Sequence, residues 1–289
     1  MSESLDGLRR KLNGAIQLGS VVRAMKAISA SSIAEYEQAV EALGQYQRSV
    51  DLGLSLCLGD AQPVAANAAT ARNGPTGALI FGSDRGLVGR FNEVIADFAA
   101  ATLRPLPGSK TVWVVGERVC PALEAAGLTV GHRFAVPTSV AAITALVTAI
   151  QLEIERFTAL QRNAEIRVFH NAPRAARYDV VSERLLPLDA AWDKRLRTIS
   201  WPGARPAQIL GGRSRSLAAL IHEQLFISLF RACAESLASE NASRLEAMQR
   251  AEENIENASQ ELRRSLNRLR QSSIDEELFE VVAGFNALT

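Results

Sequence analysis

From Gly212 the chain runs to Gly284 without another glycine, and no proline follows Pro206. A breaker-free stretch of about seventy residues far exceeds the usual globular helix of about 8 to 20 residues. At about 1.5 Å per residue it predicts a helix on the order of 100 Å long, too long to be enclosed by its own domain. Leu217, Leu220, Ile221, Leu225 and Leu229 recur at three- and four-residue steps; after a more polar middle, Leu245, Met248, Ile255, Leu262, Leu266 and Leu269 resume the seam. One narrow apolar stripe with Glu and Arg on the other faces calls for a coiled-coil partner. The plainer alternative is a solvated helical arm.

The other end of the chain supplies a second rod. Between Ser2 and Leu58 there is no proline, and apolar residues from Leu5, Leu8 and Leu12 to Val50 and Leu54 keep mostly helical spacing. Gly14, Gly19, Gly44 and Gly53 each cost about 1 kcal/mol relative to Ala in a helix interior. Their expected use is close approach of a neighbouring backbone, whereas Gly7 reads equally well as part of a fraying first turn.

Between the rods lies a different composition. Asp60 to Gly77, rich in Ala, Asn, Pro and Gly, reads as a linker. Short apolar runs at 77–82, 110–115, 129–135 and 164–171 then alternate with helical patterns at 91–103, 117–126 and 139–160, which predicts a small, mostly parallel sheet with helices on its faces. A last strand at 178–187 is expected to form a hairpin with the one before it, and 189–212 reads as a connection back to the second rod. An inserted domain returns the chain to where it left, so the rods must pair antiparallel, with facing residue numbers adding to roughly 275. That register places Met25 near Met248 and Leu8 near Leu266. It also gathers Arg9, Arg10 and Lys11 beside Arg263, Arg264, Arg268 and Arg270, a basic collar that something acidic outside the chain would relieve.

Composition excludes more than it assigns. Net charge is +1, from 32 basic and 31 acidic residues, so no global field favours nucleic acid or an anionic membrane surface. Cys57, Cys120 and Cys233 are far apart and odd in number, as reduced core thiols are. The N-terminus lacks a basic n-region followed by an apolar core. The most apolar window, Ala135 to Leu152, carries Thr and Ser residues with Glu153 and Glu155 directly after it, and is expected to be a buried helix.

No motif points to catalysis. Gly82-Ser83-Asp84-Arg85-Gly86-Leu87-Val88-Gly89 matches neither G-x-G-x-x-G nor G-x-x-x-x-G-K-[ST], and Ser83 directly after Gly82 excludes G-x-S-x-G. The expectation is a tight strand-to-helix turn that puts Asp84 and Arg85 where they bond backbone or a partner. His132, His170 and His222 stand in no metal-binding spacing. No catalytic, cofactor or metal residue is assigned.

Five segments in order carry a family likeness: Arg23-Ala24-Met25-Lys26-Ala27-Ile28-Ser29-Ala30, Ser83 to Asn92, Leu185-Leu186-Pro187-Leu188, Ser239 to Met248, and Arg270-Gln271-Ser272-Ser273-Ile274. Together they resemble the gamma subunit of F-type ATP synthases over essentially the whole chain. The family's C-terminal Thr and Ala are Asp275 and Phe285 here, its Asn-Thr-Gln near the start is Gln17-Leu18-Gly19, and a customary Lys is Ser32. These departures mark a divergent member, an alternative complex translocating sodium being one candidate.

The resemblance implies a long antiparallel coiled coil of the terminal helices (1–60 and 213–289) with a small Rossmann-like α/β domain (61–212) inserted between them. It implies a non-catalytic central-stalk rotor, peripheral at the cytoplasmic face of the cell membrane. The expected partners are the alpha and beta subunits of the hexamer, epsilon and the membrane c-ring, with no nucleic acid, no cofactor and no insertion into the membrane. Arg9, Arg10, Arg263 and Arg264 would face acidic loops of beta, with Arg270, Gln271 and Glu277 as polar catches. Met25, Lys26, Arg268, Asp84, Arg85 and Phe285 complete the expected contacts. A coiled-coil tether without rotation and a small doubly wound enzyme with helical extensions are the competing readings. Gln271 to Thr289 should stand alone as a single helix whose apolar residues find their contacts in a partner.

Overall fold

The computed structural model describes residues 5–58, 74–161, 163–174, 177–188, 190–203, 208–209 and 212–288, the side chains of 177, 190, 191 and 284–288 excepted. The order of elements is α1 (Leu5–Leu58), β1 (Thr76–Phe81), α2 (Phe91–Leu103), β2 (Lys110–Val115), α3 (Cys120–Ala125), β3 (Val130–Phe134), α4 (Val140–Leu160), β4 (Glu165–Arg174), β5 (Arg177–Leu186), α5 (Ala190–Arg197) and α6 (Arg213–Leu288). The two breaker-free stretches are single helices of 54 and 76 residues. Most of the expected linker, 59–73, lies outside the described residues.

The chain divides into two compact units whose boundaries fall within the long helices. One comprises Ser31–Ser243. Its sheet has the order β3-β2-β1-β4-β5, with β1 parallel to both β2 and β4, β2 parallel to β3, and only β5 antiparallel to its neighbour. The hairpin expected from sequence is present and longer, because β4 continues to Arg174. All six residues of β1 are buried, as a central strand covered on both faces requires.

Alternation along the strands sorts the side chains into two layers. Ala78, Ile80, Val112, Val114 and Phe169 pack with Ile95, Ala99, Leu103 and Leu123 from α2 and α3. Leu79, Phe81, Trp113, Val115, Ile166 and Val168 face the other way, onto α4 and the α6 segment that contains Leu229, Cys233, Leu237 and Ala238, with Tyr36 of α1 in the same cluster. The most apolar sequence window is therefore a core helix, α4, as expected. Among the described residues α6 is the one helix long and apolar enough to cross a membrane by length and composition. Leu229, Cys233, Ala234, Leu237 and Ala238 of that helix are in the sheet core.

A third cluster joins Val50, Leu54 and Leu58 of α1 to Ile227 of α6 and Leu196 of α5. The sequence reading took 189–212 as a plain connection and missed α5. Eight residues are too few for a visible period, and the helix is held by tertiary burial of Leu196 and by Arg197 Nε donating to Asp193 Oδ2 at 2.8 Å.

The second unit comprises Met1–Ala30 and Arg244–Thr289, described from Leu5. It is an antiparallel helix pair. Lys26 Nζ meets Glu252 Oε2 at 2.5 Å, Arg23 lies 4.0 Å from Glu252, and a Cβ at Gly19 would sit 3.6 Å from Ile255 Cγ2. Numbers rise on one helix as they fall on the other, and these pairs add to roughly 275, the expected register. The seam runs through Leu8, Leu12, Ala15, Gly19, Val22 and Ser29 on α1, and through Met248, Ile255, Ser259, Leu262, Leu266 and Leu269 on α6, all buried or half-buried.

The glycines of α1 divide into two kinds. Gly19 and Gly53 do lie close to a neighbour, Gly53 with a virtual Cβ 3.1 Å from the Leu220 methyls. Gly14 and Gly44 would meet nothing within 4 Å, which corrects the expectation that each permits a close helix approach.

Candidate partner interface

The described part of α1 begins at Leu5, which in this register stands opposite a position near residue 270 of α6. Every described side chain from Ile274 to Ala283 is exposed. Five of them are large and apolar: Ile274, Leu278, Phe279, Val281 and Val282, with Phe279 71% and Val281 73% exposed. Single exposed apolar residues are ordinary, but five in ten consecutive positions are a surface that water disfavours. Gln271 and Glu277 are exposed on the same stretch. Phe285 lies outside the described side chains.

Arg9, Arg10, Arg263, Arg264, Arg268 and Arg270 are all exposed. The α1 members are partly engaged locally, Arg9 with Asp6 at 3.7 Å and Arg10 by donation to the Asp6 carbonyl at 3.3 Å. Among the described residues no carboxylate comes within 4 Å of the four α6 arginines, so their charge faces solvent. The arginines of the expected collar are thus exposed side chains, those of α1 partly held by Asp6.

Met25 is half-buried in the helix pair, and Lys26, 30% exposed, spends its ammonium on Glu252. Outward from them on α1, Leu18, Val21 and Ile28 are 54–64% exposed. These three lie on the helix between the collar and the sheet-bearing unit, and the sequence reading passed over them because a rod of mixed pattern does not reveal which apolar positions face out.

The turn after β1 is built as a brace. Asn92 Oδ1 accepts from the Ser83 amide at 3.1 Å while Asn92 Nδ2 donates to Ser83 Oγ at 2.9 Å, and Ser83 Oγ donates to the Arg85 carbonyl at 3.0 Å. Asp84 accepts from the Glu117 amide with Oδ1 and from the Val136 amide with Oδ2, each at 2.8 Å. One carboxylate thus ties together the loops after three parallel strands. Both its oxygens are engaged within the fold. Ser243 Oγ of α6 donates to the Val88 carbonyl at 2.5 Å, anchoring the turn to the long helix.

Two glycines make this packing possible. A Cβ at Gly82 would meet Val119 Cβ at 2.5 Å, and Gly116, at φ +98°, would drive one into the Ser83 backbone at 2.8 Å. Here these two glycines serve close packing. Arg85 is exposed, and Leu87, 60% exposed, takes a left-handed φ of 64°. A bulky residue that is both strained and solvated is a candidate contact that spacing alone did not single out.

Buried titratable groups lie elsewhere. Burial pushes the Cys233 thiol far up, and Glu240 adds to the effect. Tyr36 is raised by burial first, then by Glu35, Cys233 and Glu240, with Arg85 opposing. His170 Nε2 lies 2.9 Å from Glu235 Oε2 in the sheet core. No group of three His, Cys, Asp or Glu side chains among the described residues could hold a metal ion.

The family model described as ATP synthase matches residues 4–288 of the chain. The ATP synthase gamma chain of Brevibacillus brevis is 27% identical over 99% of both chains, and that of Delftia acidovorans 24% over 97% of this chain and 98% of its own. Among solved structures, a chain of the rotor of the Euglena gracilis mitochondrial ATP synthase superimposes with a TM-score of 0.65 at 16% identity, covering 93% of this chain and 98% of that one. A chain of the Tetrahymena thermophila central stalk and c-ring gives 0.55 at 19% identity over 80% of this chain and 99% of its own. At such identities the structural likeness establishes the fold.

Proposed function

The chain belongs to the ATP synthase family, among its gamma chains, and on that premise we propose that it is the non-catalytic central-stalk rotor of an F-type complex. It couples ion flow through a membrane sector to ATP synthesis or hydrolysis in an alpha/beta hexamer. The observation that carries this reading is the lone end of α6, ten consecutive exposed positions bearing five large apolar side chains. A helix that outlasts its partner and stays apolar is completed by an external sleeve. At about 25 cal/mol per Å² of apolar surface removed from water, burial of those side chains stabilises the assembled state.

Coupling needs a rod that is not the same on all sides. The collar on one stretch, Leu18, Val21 and Ile28 on another, and the apolar tip give the helices distinct faces. Each orientation then favours a different conformation of each surrounding subunit, and rotation shifts their populations. Arg9, Arg10, Arg263 and Arg264 meet acidic loops of beta, and Arg270, Gln271 and Glu277 act as polar catches. The braced turn, with Arg85 and Leu87 exposed on it, and the sheet unit that carries it serve epsilon and the c-ring. The protein is thereby peripheral to the membrane, on its cytoplasmic face.

The test is assembly. Coexpressed with the alpha and beta subunits of its own organism, the chain should purify as one copy per hexamer with ATP hydrolysis, and removal of residues 271–289 should weaken that assembly. A hexamer that forms and hydrolyses ATP without retaining this chain, or a chain that only self-associates, would overturn the proposal.

A further inference from the structure

The turn that joins β1 to α2 holds two residues in the left-handed region, Gly89 at φ 57° and Leu87 at φ 64°. Glycine takes that conformation without steric cost, whereas a bulky L residue is strained there. The one other non-glycine residue at positive φ among the described residues is Asn163, a type that tolerates it. Leu87 does not offset the strain by its own burial, because its side chain is 60% exposed. Folding alone therefore gives no reason for leucine at this position.

The strained residue is held from both flanks. Upstream, Ser83 Oγ donates to the Arg85 carbonyl at 3.0 Å. Downstream, Val88 is buried, and its carbonyl accepts from Ser243 Oγ at 2.5 Å and from the Phe91 amide at 3.3 Å. Ser243 is the distant member of this set, 155 residues along the chain on α6, and it too is buried. A strained conformation persists where its surroundings over-determine it. Without the Ser243 hydroxyl the Val88 carbonyl keeps only the longer bond, and the turn is free to relax towards an ordinary φ at residue 87.

The same helix offers a matched control one turn away. Ser239 Oγ donates to the Asn171 carbonyl at 3.0 Å and is buried as well, but its acceptor lies on β4 and not in the turn.

We propose that Ser243 is a positioning residue for rotary coupling: its hydroxyl fixes the Val88 carbonyl and so holds Leu87 in a strained, outward pose, where the side chain is the apolar knob that the turn presents to a neighbouring subunit. This rests on the rotor reading, in which the turn is a contact of the assembled complex. The strain costs stability and is retained for the contact.

The test has two arms. In the full chain alone, hydrogen exchange in peptides covering residues 85–90 should be about fivefold faster in S243A than in wild type and unchanged in S239A. L87G should raise the melting temperature by about 2 °C, because glycine relieves the strain. In the complex with the partner subunits of its own organism, reconstituted in vesicles, the ratio of ATP-driven ion transport to ATP hydrolysis should fall about fivefold in L87G and in S243A. It should stay at the wild-type value in S239A and recover in S243T, which keeps the hydroxyl. S243A added to L87G should lower the ratio no further. A fall in L87G despite its higher melting temperature separates the contact from folding, and gives the readout should S243A fold poorly. Equal exchange in S243A and S239A, or a wild-type ratio in L87G or S243A, would overturn the proposal. Absence of coupling in the wild-type complex would strike the rotor reading and this role with it, so the two failures appear in different samples.

Discussion

Lys26 Nζ lies 2.5 Å from Glu252 Oε2, with both side chains less than one-third exposed. The pair fixes the register of the helix unit, with Arg23 as a second, looser partner of the same carboxylate at 4.0 Å. A part-buried pair of this kind is worth about 1 kcal/mol. Lys26→Ala and Glu252→Ala should each lower stability by about that much, and the double variant by less than their sum, in a denaturation cycle. Full additivity would show that the contact does not set the register.

Glycine substitutions should split by surroundings. Gly14 has open space where a Cβ would go, so Gly14→Ala should stabilise by about 1 kcal/mol through helix propensity. Gly82→Ala forces a Cβ to 2.5 Å from Val119 and should cost about 2 kcal/mol or more. Thermal melts of the two variants check both signs.

Alkaline pH should weaken the Ser31–Ser243 unit. The folded Cys233 thiol titrates far above its ordinary 9.0, and Tyr36 above its ordinary 10.0, both mainly because burial penalises the charged form. Above pH 9 the unfolded thiol releases its proton while the folded one keeps it, so the unfolded state binds fewer protons and stability falls as pH rises. Below 9 the contribution is fully present. Cys233→Ala should be less stable near neutrality and show a shallower decline above pH 9; an unchanged slope would place the effect elsewhere.

The tip should matter to assembly and little to folding. Leu278→Ser with Phe279→Ser changes two side chains that are 60% and 71% exposed, so the isolated chain should melt within about 0.5 kcal/mol of wild type. Its yield in the assembled hexamer should fall. A large loss of intrinsic stability would mean that the tip folds back on its own chain.

The collar makes a different prediction. Reversing Arg263, Arg264 and Arg268 to Glu should leave assembly near wild type and reduce ATP-driven ion transport at equal hydrolysis. The defect should shrink as salt screens the charges. Unchanged transport would remove these arginines from the coupling surface.

The two long helices, their antiparallel register and most of the sheet were legible because breakers and apolar periodicity report them directly. The register in particular followed from the inserted domain and the seams, and Arg23, Lys26 and Gly19 sit opposite Glu252 and Ile255 accordingly. What stayed hidden depends on tertiary contact. Helix α5 has too few residues to show a period and exists through Leu196. Asp84 read as a backbone or partner ligand, and only the fold shows that it braces Glu117 and Val136. Gly14 and Gly44 look like Gly19 and Gly53 in sequence, since the neighbour that distinguishes them lies about two hundred residues away in the chain.

Rotation itself is the most direct measurement. Cys57, Cys120 and Cys233 are buried, so Leu160→Cys, at a position 82% exposed, offers a single reactive thiol for a bead or fluorophore. With the alpha/beta hexamer fixed to a surface, ATP should drive that probe around in one direction. A probe that stays fixed while the assembly hydrolyses ATP would contradict the rotor account.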